Sequence, residues 1–210
     1  MLAETLEDFA LKHTDLLIPN AIKGNERAFS QLMNLWYKRI YNFSYKYFGD
    51  HDMAMEVTQS TFISVHKAIK KLKDPSSFRS WVYRIALNKC YEEDRKMKRR
   101  SWLSIFQKDN DEEDKMLQLN HHTDDGFYNP DQVVEEKEME DMVMKCLHEI
   151  PEEQRVIVIM KEYEGLKFRE IAGSLNITES TAKSRLYYGL KAMKKQLEKR
   201  NIYKENAYGN

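Results

Sequence analysis

Leu175 to Leu190 read LNITESTAKSRLYYGL. Thr178 opens a helix-forming run. As an N-cap its hydroxyl accepts from a backbone N–H of the first turn, and Glu179 falls where the helix dipole favours a carboxylate. The helical step then puts Ala182, Leu186, Leu190, Met193 and Leu197 on one stripe and Thr181, Ser184, Tyr188, Lys191 and Lys195 on the opposite face. The first set is expected to pack and the second to be displayed. Upstream, KFREIAGSLN carries Phe168, Ile171, Ala172 and Leu175 at i, i+3, i+4 and i+7. Asn176 suits the left-handed conformation that ends a helix before a sharp turn. Two short helices joined by a three- to four-residue turn make a helix-turn-helix.

The displayed face is unusual in its chemistry. From Ser180 to Lys195 it holds no acidic residue and offers hydroxyls, two tyrosines and cations. Such groups suit base edges and phosphates in a major groove. The alternative is an ordinary helical hairpin with a solvated polar face.

The 210 residues have room for one large or two small domains, and few Gly and Pro with long apolar periodicity point to an all-α protein. Formal net charge is zero, but the charge is segregated. Residues 67–100 contain twelve Lys/Arg against four Asp/Glu, 161–200 contain ten against five, and 109–141 contain thirteen acids and two bases. Basic, acidic and basic blocks in series are a positional signal that the average hides. No apolar run reaches the length needed to span a bilayer, and MLAETLEDFA lacks a signal-peptide pattern, so a cytoplasmic protein without membrane insertion is expected. Cys90 and Cys146 are too few for a disulfide framework and are not spaced as metal ligands; they read as reduced, and as structural or incidental. His121 and His122 lack further ligands at metal-binding spacing. Neither a catalytic triad, a phosphate-cradling Gly loop nor a paired-carboxylate site is present, so no enzyme, cofactor or metal is expected.

Asn25 can cap a long helix whose apolar stripe is Phe29, Leu32, Met33, Trp36, Ile40, Phe43 and Tyr47, with Gly49 as its stop. A second helix opens at His51 or Asp52, with Ala54, Val57, Thr61, Val65, Ala68 and Leu72 inward. Pro75 in KDPSS breaks it, because it disfavours helical backbone at Asp74. A third helix follows from Phe78 to about Arg100, with Phe78, Val82, Ile85 and Ala86 packing. Trp81, Tyr83 and Tyr91 leave rings outside that stripe, and Arg95, Lys96, Lys98, Arg99 and Arg100 make a basic end. These aromatics read either as core or as platforms for exposed bases, and the basic end either as a solvated terminus or as a phosphate site. The stretch from Asp109 to Asp141 reads as a flexible acidic tether. Helices resume in DQVVEEKEMEDMVMKCLHEI, with Val134, Met142, Leu147 and Ile150 inward. They continue in PEEQRVIVIMKEYEG, with Pro151 at the first helical position and Gly165 as stop.

With these motifs in this order, the chain resembles bacterial RNA polymerase sigma factors of the extracytoplasmic-function group. EVTQSTFISVHKAI resembles their polymerase-binding helix, FRSWVYRIALNKCYEEDRKMKRR their minus-10 reading helix, and IPEEQRVIVIMKEYEGLKFREIAGSLNITESTAKSRLYYGLKAM their minus-35 reading domain. The resemblance implies two small helical domains joined by an acidic linker. Residues 1–20 are a lead-in, 21–100 a region 2-like domain for promoter melting and core binding, and 101–129 the linker. Residues 130–200 are the region 4-like helix-turn-helix domain, and 201–210 a tail.

The resemblance also implies roles. Glu56, Gln59 and Phe62 bind core RNA polymerase. Ser77, Phe78, Arg79, Trp81, Arg84, Asn88, Arg95, Lys96 and Lys98 meet the minus-10 element. Thr181, Lys183, Ser184, Arg185, Tyr187, Tyr188 and Lys191 meet the minus-35 element, with Arg185 and Lys191 on phosphates. The implied partners are core RNA polymerase and promoter DNA, with room for an anti-sigma factor; the tether is implied to enter the polymerase cleft. The chain departs from many relatives at Ser180-Thr181-Ala182, where Gly-Thr-Val is common, and at Tyr188, where Arg is common, so the promoter sequence does not carry over. Gly189 inside the recognition helix permits close packing or approach to DNA at a helix-propensity cost of up to about 1 kcal/mol. The rival reading is a helix-turn-helix regulator that acts without polymerase, and a more distant one a charged helical scaffold.

Overall fold

The computed structural model describes residues 14–107 and 130–200, and every regular element among them is helical. Their contacts gather into two units, one holding the helices before residue 108 except for residues 46–50, and the other those residues with the helices after residue 129.

In the first unit α1 occupies residues 14–22, α2 Glu26–Phe48, α3 His51–Ala68 and α4 Phe78–Gln107. Asn25 starts α2 as the sequence predicts: its Oδ1 accepts the Ala28 N–H at 3.0 Å. Gly49 ends it at φ 71°, a conformation that costs glycine nothing. Leu32, Trp36, Ile40 and Phe43 are at most 1% exposed and form the inward stripe of α2. Burying side chains of this size contributes about 1.5–3 kcal/mol each. From α3, Ala54, Val57, Thr61 and Val65 face them. Buried Thr58 satisfies its hydroxyl by donating to the Ala54 carbonyl at 2.6 Å. Trp36 meets Phe78 and Tyr83 of α4 edge-on at 5.3 and 5.8 Å between ring centroids, and Phe43 meets Tyr83 at 5.4 Å. Such pairs add about 0.5–1.5 kcal/mol beyond area burial, so this cluster welds α2 to α4.

Several sequence expectations need correcting here. Of the two readings open for Tyr83 the core one holds, since it is fully buried, and Leu87 and Cys90, outside the expected stripe, join it. The buried arc of α4 is therefore wider than a stripe that faces a single neighbour. The region before Asn25 is more than a lead-in, since Thr14, Ile18 and Ala21 are buried and the Trp36 indole N–H donates to Thr14 Oγ1 at 3.2 Å. The α-helical part of α3 stops at Ala68, and a 3-10 turn at Ile69–Lys71 delivers Leu72 to the core. α4 continues past Arg100 to Gln107, because RRSWLSIFQ holds no Gly or Pro to stop it.

The second unit comprises α5 (Pro130–Glu149), α6 (Glu152–Val158, continuing as a π-helical turn over Ile159–Tyr163), α7 (Phe168–Leu175) and α8 (Glu179–Lys199). The acidic residues from Asp131 to Asp141 thus lie on α5 rather than in a tether. The remainder of the proposed tether, from Asp109 to Asn129, lies outside the described residues, as does the tail at 201–210. Pro151 takes the N-cap of α6, one position before the predicted site, and its carbonyl accepts from the N–H of Gln154 and Arg155, both at 2.9 Å. Gly165 stops the helix at φ 62°. Five consecutive residues, Val156 to Met160, are at most 1% exposed. A helix packed against α5 and α8, whose π-helical turn meets α7, is apolar nearly all round. Cys90 and Cys146 are both buried, and neither forms a disulfide among the described residues. Arg200, beyond the end of α8, reaches back to α5, where it donates to Glu149 Oε1 at 2.5 Å and to Cys146 Sγ at 3.5 Å. Burial pushes the Cys146 thiol pKa up, which keeps it protonated and inert.

Candidate nucleic-acid interface

The α7–α8 turn is set by residues whose side chains or backbones do one job each. Asn176 sits at φ 55°, ψ 44°, the left-handed region, and the next N–H, from Ile177, bonds to the Ala172 carbonyl at 3.1 Å. Thr178 then caps α8, its Oγ1 accepting the Thr181 N–H at 3.1 Å and lying 2.8 Å from the Thr181 hydroxyl. Glu170 closes the start of α7 by accepting the Lys167 N–H at 2.7 Å.

The face α8 turns inward differs from the predicted one. Ala182, Gly189 and Met193 are buried, whereas Leu190, expected in the stripe, is 42% exposed. The helix is rotated about its axis by roughly 40° from the apolar stripe, taking one residue as about 100°. Gly189 explains the rotation. A Cβ there would sit 3.0 Å from Val158 Cγ2 and 3.3 Å from Gln154 Cβ, so its absence lets α8 lie directly on α6. Of the two roles open to this glycine in the sequence, close helix packing is the one the contacts support.

The rotation sorts the predicted minus-35 residues. Lys183, Ser184, Tyr187, Tyr188 and Lys191 are exposed, with Tyr187 and Tyr188 at 62% and 57% and their rings edge-on at 5.5 Å. Thr181 is half-buried at the cap. Arg185 is turned to the flank and ion-paired with Glu153 of α6, so its charge is partly spoken for. The Lys183 ammonium lies over the Phe168 ring at 5.6 Å, and Lys161 approaches the same ring at 5.1 Å.

In the first unit, Asp74 builds the loop ahead of α4. Its backbone is extended at φ −116°, ψ 106°, as the following Pro75 demands, and its carboxylate accepts from the Ser76 N–H at 2.9 Å while Ser77 Oγ donates to its carbonyl at 2.7 Å. Phe78 is 1% exposed and belongs to the Trp36 cluster, so this predicted minus-10 residue supports the loop from beneath instead of meeting a base. Trp81 and Arg79 are half-buried, while Arg84, Asn88 and Arg95 are exposed on α4.

The cations of α4 are not equivalent. Lys89 pairs with Glu92 at 2.7 Å, Lys98 with Asp94 at 2.5 Å, and Lys96 with the 6%-exposed Glu93, whose hydrogen bond holds the Lys96 ammonium pKa above its usual value. Arg84, Arg95, Arg99 and Arg100 have no carboxylate partner among the described residues.

A third surface lies on α3. Glu56 and Gln59 are exposed, and Phe62 is half-buried with its ring stacked 6.1 Å from Tyr37 of α2. Around them Tyr37, Met55 and Ile63 are 45%, 36% and 56% exposed, an apolar set that the sequence reading did not pick out. The available signal was Ile63, an aliphatic residue between the inward positions Thr61 and Val65.

Two family profiles match the chain. The family profile described as Sigma-70 region 2 matches residues 32–100, and that described as Sigma-70, region 4 matches residues 140–193. The chain belongs to the sigma factors of the extracytoplasmic-function group. The two profiles together cover more than half of it, in the family's order. Among similar curated sigma factors is "ECF RNA polymerase sigma factor SigW" of Bacillus subtilis, 27% identical over 83% of this chain and 91% of that protein. Another is the "RNA polymerase sigma-H factor" of Pseudomonas aeruginosa, 26% identical over 87% and 92%. Among solved structures, CnrH in complex with the cytosolic domain of CnrY has a TM-score of 0.62 at 19% identity, covering 89% of this chain and 97% of that one. RpoE in complex with the anti-sigma factor NepR from Bartonella quintana has the same score and identity, covering 81% and 96%. As a sigma factor, the chain directs transcription initiation. No described helix is long and apolar enough to cross a membrane.

Proposed function

We propose that this sigma factor docks on core RNA polymerase through the α3 face at Glu56, Gln59 and Phe62. It then places α8 in the major groove of a minus-35 element, and the loop at 73–77 with the α4 face at Trp81, Arg84 and Asn88 on an opened minus-10 element. The single observation that carries the reading is chemical. The exposed face of α8, from Ser180 to Lys195, holds hydroxyls, two tyrosine rings and lysines without one carboxylate, on a helix capped and held by α6. Serine and tyrosine hydroxyls discriminate base edges there, and Lys191 meets phosphate. The first domain then takes in α1 and the whole of α4, wider than the 21–100 read from the sequence, and the second begins near residue 130. Core polymerase and promoter DNA are its partners, and the cytoplasm is where they are met.

Docking through α3 is supported by the apolar set Tyr37, Met55, Phe62 and Ile63 around two polar groups, since exposed apolar area of this kind marks a protein contact. RpoE of Bartonella quintana is held by an anti-sigma factor. A protein of that class covering α3 would silence this chain by competing with polymerase. The test is co-elution with purified core polymerase. The Glu56→Lys/Gln59→Lys variant is expected to lose co-elution at unchanged helicity, and retention equal to the parent removes the docking assignment.

A further inference from the structure

Phe168 opens α7 and shares its apolar stripe with Ile171 and Ala172, yet those two are buried while Phe168 is only half-buried. Two ammonium groups lie over its ring, Lys161 at 5.1 Å and Lys183 at 5.6 Å from the centroid, both within the roughly 6 Å over which a ring face attracts a cation. The two are not equivalent. Lys161 is half-buried in the π-helical turn and donates to the Leu166 carbonyl at 3.3 Å, so it is committed to closing the end of α6. Lys183 is exposed on α8. Glu179 stands four residues before it, the spacing and order at which a helix most readily forms an ion pair. No such pair forms: Lys183 has no carboxylate partner among the described residues, and its ammonium crosses to the ring on α7 instead. The choice of partner matters. A carboxylate would neutralise the charge and take up its donors, whereas a ring face holds the ammonium by its quadrupole and leaves N–H groups for another acceptor.

We propose that Phe168 is a positioning residue for minus-35 recognition: its ring holds the Lys183 ammonium where it can donate to acceptors on a base edge in the major groove. This role rests on the proposed placement of α8 in that groove. A lysine stem carries large rotamer freedom, which is lost when the ammonium is fixed at a base. A ring that already restricts Lys183 in the free protein removes part of that cost before DNA arrives. A base pair that offers no acceptor at that place gains nothing from the restriction, so the ring acts on discrimination and not on affinity for DNA at large. An exposed cation–ring contact corresponds to about two- to five-fold in an equilibrium constant, and that is the most the ring contributes.

The experiment measures binding of holoenzyme, assembled from core polymerase and the full chain, to a promoter it transcribes, varied one base pair at a time through the minus-35 element. Lys183→Ala is expected to remove the preference at the base pairs this lysine reads. Phe168→Leu keeps an apolar side chain and loses the ring; it is expected to weaken the preference at those same pairs by about two- to five-fold and to leave the others at the parent level. Phe168→Tyr is expected to keep the preference and Phe168→Trp, whose ring attracts a cation most strongly, to sharpen it, a readout that stands even where Phe168→Leu unfolds. Added to Lys183→Ala, Phe168→Leu is expected to change nothing further. A loss in Phe168→Leu that is equal at every position, or that persists in full beside Lys183→Ala, overturns the proposal and assigns Phe168 to packing alone. Preferences equal to the parent in both the leucine and the tryptophan variants overturn it as well. A Lys183→Ala holoenzyme with unaltered preference at every minus-35 position overturns the underlying placement of Lys183 at the bases.

Discussion

Replacing Gly189 by Ala tests how α8 is held. At an exposed position in a helix interior this change stabilises by about 1 kcal/mol, because alanine restricts the unfolded chain and propagates helix better. At position 189 the new Cβ meets Val158 Cγ2 at 3.0 Å and Gln154 Cβ at 3.3 Å. Neither neighbour yields easily: Val158 is 1% exposed, and the Gln154 Cβ is fixed by its own helix backbone. Overpacking of this kind costs about 1–3 kcal/mol. The two effects sum to a net change between zero and a loss of about 2 kcal/mol, opposite in sign to the exposed case. Gly173, on exposed α7 surface with nothing within 4 Å of its added Cβ, is the internal control. Urea unfolding of the full chain followed by circular dichroism measures both, and the Gly189→Ala holoenzyme should also bind minus-35 duplex more weakly. A Gly189→Ala chain stabilised as much as Gly173→Ala would refute the close α6–α8 packing as the reason for the glycine.

Tyr188→Ala should change which minus-35 bases are tolerated, at about 1–3 kcal/mol per lost base contact, whereas Lys191→Ala should weaken all promoters alike and flatten the salt dependence; a promoter-library readout separates them. Thr178→Ala removes the α8 cap and should destabilise by about 1 kcal/mol, with Thr178→Ser restoring most of it in the same unfolding assay. Asp74→Ala removes the carboxylate that Ser76 holds through its N–H and hydroxyl in the loop before α4, while the Ser77 hydroxyl keeps the residue-74 carbonyl. It should slow promoter opening, read by permanganate reactivity, while core co-elution stays at the parent level; an unchanged opening rate would show that loop order does not matter.

What could be read in advance was whatever a single residue encodes by its own chemistry. Asn25 and Thr178 cap because a side-chain oxygen next to free N–H groups has one good use, and Asn176, Gly49 and Gly165 stop helices because they alone adopt positive φ cheaply. The surface chemistry of α8 was equally local, since Ser184, Tyr188 and Lys191 lie opposite Ala182 whatever the helix packs on. What escaped depended on neighbours distant in sequence. Tyr83, open in the sequence between core and platform, is core because Trp36 and Phe43 of α2 reach it, a choice its own helix does not encode. The rotation of α8 that exposes Leu190 and turns Arg185 toward Glu153 comes from the missing Cβ at Gly189 meeting α6, a contact that apolar periodicity along α8 does not contain. The pairing of Lys89, Lys96 and Lys98 with their own helix's acids was legible as i, i+3 and i+4 spacing but submerged in the basic run around it.

The central claim is that this chain gives core RNA polymerase its promoter. Run-off transcription from a pooled promoter-template library, with purified core polymerase in the presence and absence of the chain, measures it directly. The account predicts transcripts with discrete 5′ ends that appear only when the chain is added and vanish with Glu56→Lys/Gln59→Lys. Identical transcripts with and without the chain, together with tight sequence-specific duplex binding by the chain alone, would contradict it and point to a regulator that works without polymerase.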